Sequence, residues 1–141
     1  MTVVLARHEV ERLLPQKGLM CLIDTVLELN GEAITCAADA SRPDHPLRER
    51  DALSVVYSIE YGAQAAALHR LTQDPPKAAR GGLLLQVRDT HFLEERLDRL
   101  AQPLVIVARC ALASSEAARY LFRIYSGERI VSTGDMTIRL T

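Results

Sequence analysis

The first part of the chain combines a short helical segment with a β-hairpin. Apolar and charged residues recur at helical spacing over residues 10–14 and a proline follows, which predicts one or two helical turns that end there. Residues 19–29 are rich in apolar and β-forming types, and residues 32–40 run back after Asn30 and Gly31, a dipeptide typical of type I′ turns. This pattern predicts an antiparallel hairpin closed by a type I′ turn.

A polar loop separates the hairpin from the most apolar segment of the chain. Residues 42–51 contain two prolines, which prevent regular strand pairing, and Asp51 and Ser54 are suited to cap a helix. From residue 52 to about residue 71 no proline occurs and apolar residues recur at helical spacing. A helix that is apolar nearly all round is usually buried, so we expect a sheet to wrap it. His69 lies near its end, where a cation complements the helix dipole.

Strand-like segments fill the rest of the chain. Residues 73–82 break the helix, and four strand candidates follow at residues 82–93, 103–114, 118–127 and 128–140. The last three suit a meander because short turns join them. We therefore expect a single α+β domain over residues 1–141, with one long helix inside a curled antiparallel sheet. Such a sheet leaves an exposed edge that pairing across a two-fold axis would remove, so we expect a homodimer.

Size and charge narrow the classes of function. A chain of 141 residues has room for one core. Its 17 basic and 18 acidic residues leave no general positive field, so we expect no nucleic-acid partner. Charged residues interrupt the N-terminal segment where a signal peptide needs an apolar run, and no stretch approaches eighteen consecutive apolar residues. These features predict a cytoplasmic protein with no membrane partner.

The three cysteines predict structural thiols. Cys21, Cys36 and Cys110 are far apart, and each lies in an apolar, strand-like run. None belongs to a CxxC pair, so neither a zinc site nor a redox dithiol has the spacing it needs. We expect buried, reduced thiols, no metal and no other cofactor.

Two residues suited to acid–base chemistry lie fifteen positions apart. His45 is in the polar loop, and Glu60 is within the apolar helix, where an ionised carboxylate is costly unless it is paired, hydrogen-bonded or at a site opening. Tyr57 and Gln64 lie about one turn to either side of Glu60 and extend a polar stripe. The stripe is either a network of core side chains whose hydrogen bonds are all made within the protein, or the lining of a binding site. A histidine that titrates near neutrality and a carboxylate in an apolar setting form a workable base and acid.

Several motifs in this order resemble the 3-hydroxyacyl-acyl-carrier-protein dehydratases of the FabA/FabZ-like family. LLPQKGLMCLIDTVLEL at residues 13–29 resembles their opening LPHRxPxLLxDRVLEL, with Gln16 and Lys17 in place of His-Arg. DHPL at residues 44–47, followed by IEYGAQAAA at residues 59–67, is similar to their active-site histidine loop and the helix that bears the acidic residue. The form IEYxAQ is closer still to the dehydratase-like (ApeP-type) proteins of aryl-polyene biosynthesis clusters.

The resemblance implies a hotdog fold whose dimer binds an acyl-pantetheine arm at the subunit interface. It implies that His45 removes the α-proton of a 3-hydroxyacyl group on acyl carrier protein, and that Glu60 of the other subunit protonates the departing β-hydroxyl to leave the trans-2-enoyl thioester. Substrate contacts are expected from Gln64, Tyr57 and the backbone amide of Val55, because amides at a helix start polarise a carbonyl. The implied pathway is fatty-acid or aryl-polyene, polyketide-like biosynthesis.

The loop around His45 departs from the family pattern. The form GHFPGHPxMPG is reduced here to PDHPLRERDALSV, which has no glycine to allow close backbone approach to a substrate. Two alternatives stay open: a hotdog acyl thioesterase, whose helix carboxylate activates water, and a non-catalytic hotdog subunit in a heterodimer with an active paralogue. An acidic carrier protein would be steered by a basic rim, for which the candidates are Arg48, Arg50, Arg80 and Arg88.

Overall fold

A long helix lies against a curled antiparallel sheet in the computed structural model, which describes residues 3–73 and 82–140. The helices are α1 (Arg7–Leu13) and α2 (Ser58–Gln73), with 3₁₀ turns at Gly18–Met20 and Val55–Tyr57. The strands are β1 (Thr25–Leu29), β2 (Ala33–Ala38), β3 (Gly82–Phe92), β4 (Leu104–Ala113), β5 (Ala118–Ser126) and β6 (Arg129–Leu140). Within these residues they form one six-stranded sheet of order β1-β2-β4-β5-β6-β3. The predicted α+β architecture, a hotdog fold, and the β4-β5-β6 meander are confirmed.

Small residues allow the sheet to wrap closely around α2. Most of the helix is buried, including the run from Gln64 to His69. A Cβ atom placed on Gly62 would lie 2.9 Å from Cγ of Phe122 on β5 and 3.2 Å from Cε of Met136 on β6. The helix axis is therefore closer to the sheet than a larger residue would permit. Among the described residues, no helix has the length and hydropathy required to span a bilayer.

The hairpin between β1 and β2 is confirmed, whereas its predicted type I′ turn is wrong. Asn30 N donates to Ala33 O at 3.0 Å, so Gly31 and Glu32 occupy the centre of the turn. Neither Asn30 nor Gly31 has the positive φ that a type I′ turn at these two positions requires. Instead Oδ1 of Asn30 accepts hydrogen bonds from the backbone N–H groups of Glu32 at 2.8 Å and Ala33 at 2.9 Å. The asparagine side chain thus organises the turn.

The long helix begins later than the apolar pattern predicts. Arg50 and Asp51 have φ values of 53° and 62°, so the chain is left-handed immediately before residue 52. Ser54 then caps the 3₁₀ turn that leads into α2, because its Oγ accepts the Val56 N–H at 3.2 Å. Of the two predicted caps, Ser54 is confirmed and Asp51 is wrong.

The two edges of the sheet differ in how they are covered. On β1, the N–H groups of Val4 and Leu5 donate to Val26 O at 2.8 and 3.2 Å, and Val26 N donates to Leu5 O at 3.0 Å. The outer edge of β3 has no strand partner within residues 3–73 and 82–140. Two apolar residues at its end, Phe92 and Leu93, are exposed. The exposed edge that the sequence predicts is therefore β3, while the homodimer stays a prediction.

The cysteines are free thiols, and their predicted burial is confirmed for Cys21 and Cys36 and wrong for Cys110. Cys21 and Cys36 are buried and Cys110 is half-buried. Burial raises the pKa of the Cys36 thiol to about 12, so this residue is protonated and inert at neutral pH.

Replacement of Gly134 should destabilise the fold. An alanine Cβ at this position would lie 2.4 and 2.6 Å from Cε1 and Cζ of Phe122, whose ring is buried between Gly134 and Gly62 and has no room to move away. We expect Gly134→Ala to lower the free energy of unfolding by about 1–3 kcal/mol, measured by chemical denaturation. In the control Gly31→Ala the nearest atom is Oε1 of Gln73 at 3.8 Å. Equal losses in the two variants would contradict the packing argument.

Candidate active site

His45 lies in the loop before α2 and is only 4 % exposed. The loop is held by Arg48, whose backbone N–H donates to His45 O at 3.2 Å. The Arg48 guanidinium donates to Arg42 O and to Ser41 O, each at 2.8 Å. The side chain of Arg48 therefore fixes the loop that presents the histidine, a role other than the expected contact with a carrier protein.

The hydrogen bonds of His45 define where its proton lies. Nδ1 accepts the backbone N–H of Leu47 at 3.2 Å, and Nε2 lies 2.8 Å from Oη of Tyr61. Because an N–H donor faces Nδ1, that nitrogen carries the lone pair, and the proton of the neutral ring lies on Nε2, which donates to Tyr61 Oη. Burial, followed by the positive charges of Arg42 and Arg48, lowers the pKa of His45. The imidazole is therefore neutral at neutral pH.

Glu60 lies on the half-exposed face of α2. Val56 is 45 % exposed, and Ile59 and Ala63 on the same side of the helix are half-buried. Within the described part of the chain, Glu60 has neither a hydrogen bond nor an ion pair. Its neighbour Tyr61 is fully buried and bonds His45 instead. The pairing of His45 with Glu60 across a subunit boundary thus stays a prediction.

Gln64 connects α2 to the segment before β1. Its side chain is buried, Oε1 accepts the Leu22 N–H at 2.8 Å, and Nε2 donates to Met20 O at 2.9 Å. The amide therefore satisfies two backbone groups of the segment before β1, a structural role for this member of the polar stripe. Its predicted contact with substrate stays a prediction.

The other two predicted substrate contacts also have partners within the chain. The Val55 N–H donates to Glu95 O at 3.0 Å, so this amide is already engaged at the start of the 3₁₀ turn. The Tyr57 hydroxyl donates to Oε1 of Glu49 at 2.7 Å, and this bond raises the pKa of the phenol. A substrate would have to replace Glu95 O or Glu49 Oε1 to use either group.

His69 forms a second buried histidine–tyrosine pair, and the prediction of a cation at this position is wrong. Its Nε2 donates to Asn30 O at 2.9 Å, so Nδ1 accepts from the Tyr120 hydroxyl at 2.5 Å. The ring is fully buried, and burial lowers its pKa. His69 is therefore a neutral core residue.

Tyr61 is the site residue that the sequence argument missed. A buried tyrosine hydroxyl needs a hydrogen-bond partner, and the residue after an outward-facing helix position points about 100° away from it. If the Glu60 side chain faces away from the core, the Tyr61 side chain must face into it, and its buried hydroxyl must have a hydrogen-bond partner there. In the folded chain that group is the imidazole of His45.

Loss of the Gln64 amide should destabilise the segment before β1. In Gln64→Leu the buried Leu22 N–H loses its partner, and such an unsatisfied group costs about 1–3 kcal/mol; the bond to the Met20 carbonyl is lost as well. We expect the free energy of unfolding to fall by about 1–3 kcal/mol. Gln73→Leu, at the exposed end of α2, is the matched control and should change it by less than about 0.5 kcal/mol. Denaturant titration of both variants measures the difference.

Stability should fall as the solution is acidified below about pH 6.5. The folded-state pKa values of His45 and His69 are lowered, so in this range the unfolded chain binds protons that the folded chain does not. Melting temperatures should therefore drop between about pH 7.5 and 5.5. His69→Gln should be less stable at neutral pH but show a shallower drop. His8→Gln, which alters an exposed histidine, should keep the wild-type slope; a flat wild-type profile would count against two neutral buried rings.

Comparisons with known proteins identify the family of this chain. The family model described as ApeP-like, ApeP dehydratase, matches residues 8–139. None of the curated protein sequences is significantly similar to the chain. A similar solved structure is the dehydratase heterocomplex ApeI:P from Xenorhabdus doucetiae, with 22% identity, a TM-score of 0.79, and coverage of 94% of this chain and 90% of that chain.

Two further structures share the fold. A putative thioesterase from a Silicibacter species has 15% identity and a TM-score of 0.68, covering 100% of this chain and 95% of that one. A mutant thioesterase from Pseudomonas aeruginosa has 11% identity and a TM-score of 0.60, covering 83% and 80%. At these identities the solved structures show the hotdog fold alone. The family model, in contrast, spans nearly the whole sequence, so the chain belongs to the ApeP-like dehydratase family.

Proposed function

We propose that this chain is a dehydratase subunit that converts a 3-hydroxyacyl group on acyl carrier protein into the trans-2-enoyl thioester. The observation that carries the proposal is a buried, neutral His45 in the loop before α2 combined with the outward-facing Glu60 on that helix. Elimination of water needs removal of the α-hydrogen, protonation of the departing β-hydroxyl and stabilisation of charge on the thioester oxygen. His45 and Glu60 are suited to share this work without a cofactor.

The site is proposed to form where two subunits meet. Glu60 shares its half-exposed face with Val56, Ile59 and Ala63, an apolar surface suited to cover by another chain. The unpaired outer edge of β3 within the described residues supports the same arrangement. His45 of one subunit would then act with Glu60 of the other. The partner is a second copy or, as in the ApeI:P heterocomplex, a different dehydratase chain.

The proposed substrate is delivered by an acidic carrier protein in the cytoplasm, in fatty-acid or aryl-polyene, polyketide-like biosynthesis. Of the arginines considered for a basic rim, Arg50 and Arg88 are exposed. Arg48 is bound to carbonyl groups of its own loop, and Arg88 lies 3.9 Å from Asp135. Arg80 lies outside the described residues. Among the described candidates, Arg50 is the one best placed to meet the carrier.

The test is an assay with a 3-hydroxyacyl-acyl carrier protein, followed by mass spectrometry for the loss of water. Wild type should give the enoyl product, and His45→Ala and Glu60→Gln should each lower kcat/KM by about 10²–10⁴-fold. His8→Ala and Glu28→Gln, at exposed positions outside the site, are matched controls and should keep wild-type rates.

Three results would change the assignment. Full enoyl formation by both site variants would show that neither His45 nor Glu60 takes part in the reaction. Release of free thiol with the 3-hydroxyl retained would indicate the acyl thioesterase. An inactive homogeneous protein that becomes active only with a paralogous chain, and that tolerates both substitutions, would indicate a non-catalytic subunit.

A further inference from the structure

The tautomer of His45 bears on the direction of proton transfer. A histidine that removes a proton must present a lone pair to the substrate, which requires the other ring nitrogen to carry the ring proton. In this chain the arrangement is reversed: the lone pair on Nδ1 accepts the Leu47 N–H, and the proton lies on Nε2, toward Tyr61. The nitrogen that faces away from the loop backbone is a donor.

The surroundings of His45 oppose the tautomer in which Nε2 could act as a base, and they also oppose the protonated ring that such a base would become. Moving the proton to Nδ1 would place two donors, Nδ1–H and the Leu47 N–H, face to face at 3.2 Å. Protonating the ring would create the same conflict and add a charge near Arg42 and Arg48, which outweigh the opposite effect of Asp44. The Tyr61 phenol is also neutral, since burial raises its pKa.

We infer that His45 acts as a neutral hydrogen-bond donor to the thioester oxygen and that Glu60 of the facing subunit performs both proton transfers. This inference rests on the proposed dehydratase function. A neutral imidazole held by a backbone N–H is a known electrophilic device in enolisation, where it stabilises charge on a carbonyl oxygen without changing its own protonation. In this chain the Leu47 N–H holds the lone pair of Nδ1, and Nε2–H is left as the donor.

The resulting elimination uses one carboxylate. Glu60 takes the proton from C2, and the C–H electron pair forms an enolate whose oxygen accepts the hydrogen bond from His45 Nε2–H. The enolate electrons then form the C2–C3 double bond as the C3–O bond breaks. The departing hydroxide takes the proton from the Glu60 carboxylic acid and leaves as water, which restores the carboxylate.

Tyr61 is a positioning residue in this scheme. Its Oη accepts the Nε2–H at 2.8 Å in the absence of substrate and so keeps the donor oriented. A thioester oxygen that replaces Oη would preserve the number of hydrogen bonds made by the ring. Tyr120, which bonds His69 in the other buried pair, provides a matched control outside the site.

Nitrogen-15 NMR of histidine-labelled wild-type protein tests the resting state. We expect the His45 signals to show a protonated Nε2 and a lone pair on Nδ1 from about pH 6.5 to 8. Tyr61→Phe should shift the Nε2 signal and lower kcat about tenfold with little change in KM, because the donor loses its orientation. Tyr120→Phe should leave the His45 Nε2 signal and kcat unchanged. A wild-type His45 with its proton on Nδ1 would overturn the inference.

Kinetics with two substitutions at His45 test the role of the donor. Gln supplies a neutral N–H donor but no base, so His45→Gln should be at least about tenfold faster than His45→Ala, while Glu60→Gln should be the least active. An active wild type in which His45→Gln is no better than His45→Ala would overturn the inference and leave the dehydratase standing. A wild type that forms no enoyl product would instead overturn the proposed function, whatever the tautomer.

Discussion

The packing of Phe122 between α2 and β6 is the constraint on which the site depends. Its ring lies so close to Gly62 on the helix and Gly134 on the strand that neither position has room for a Cβ atom. This contact fixes the distance between helix and sheet and also the rotation of α2 about its axis. With Gly62 turned toward the sheet, the preceding Tyr61 points into the core and Glu60 points out of it. The close packing thus sets which of two adjacent polar residues meets the histidine loop.

The existence and type of the main elements were predictable because apolar periodicity reports which face of a segment is buried. The boundaries were not, because they depend on distant partners. The extended segment expected at residues 19–29 becomes a strand only at Thr25, since the Gln64 amide binds the backbone at Met20 and Leu22. The start of the long helix is displaced in the same way by the left-handed backbone at Arg50 and Asp51. A one-dimensional pattern contains neither kind of information.

In the candidate site, too, the sequence indicates which residues have suitable chemistry but not which groups surround them. Residue type and position make His45 and Glu60 candidates, because an unexplained carboxylate in an apolar helix costs free energy, and their catalytic roles stay predictions. Their surroundings could not be identified, since the partner of Val55 is Glu95 and the partner of His45 is Tyr61, groups brought together only by folding. The error at His69 has the same origin. The helix end is buried, so the ring became a neutral core group.

The two buried histidine–tyrosine pairs differ in the direction of the hydrogen bond between ring and phenol, and the proposed mechanism depends on that difference. At His69 the phenol of Tyr120 donates to the ring, so a molecule that displaced it would itself have to supply a donor. At His45 the phenol of Tyr61 accepts from the ring, so a carbonyl oxygen can take its place. The thioester carbonyl, which takes charge in the proposed mechanism, offers an oxygen acceptor and no donor. In the proposed mechanism the direction of a single hydrogen bond therefore separates the structural pair at His69 from the pair at His45, whose acceptor a carbonyl oxygen would replace.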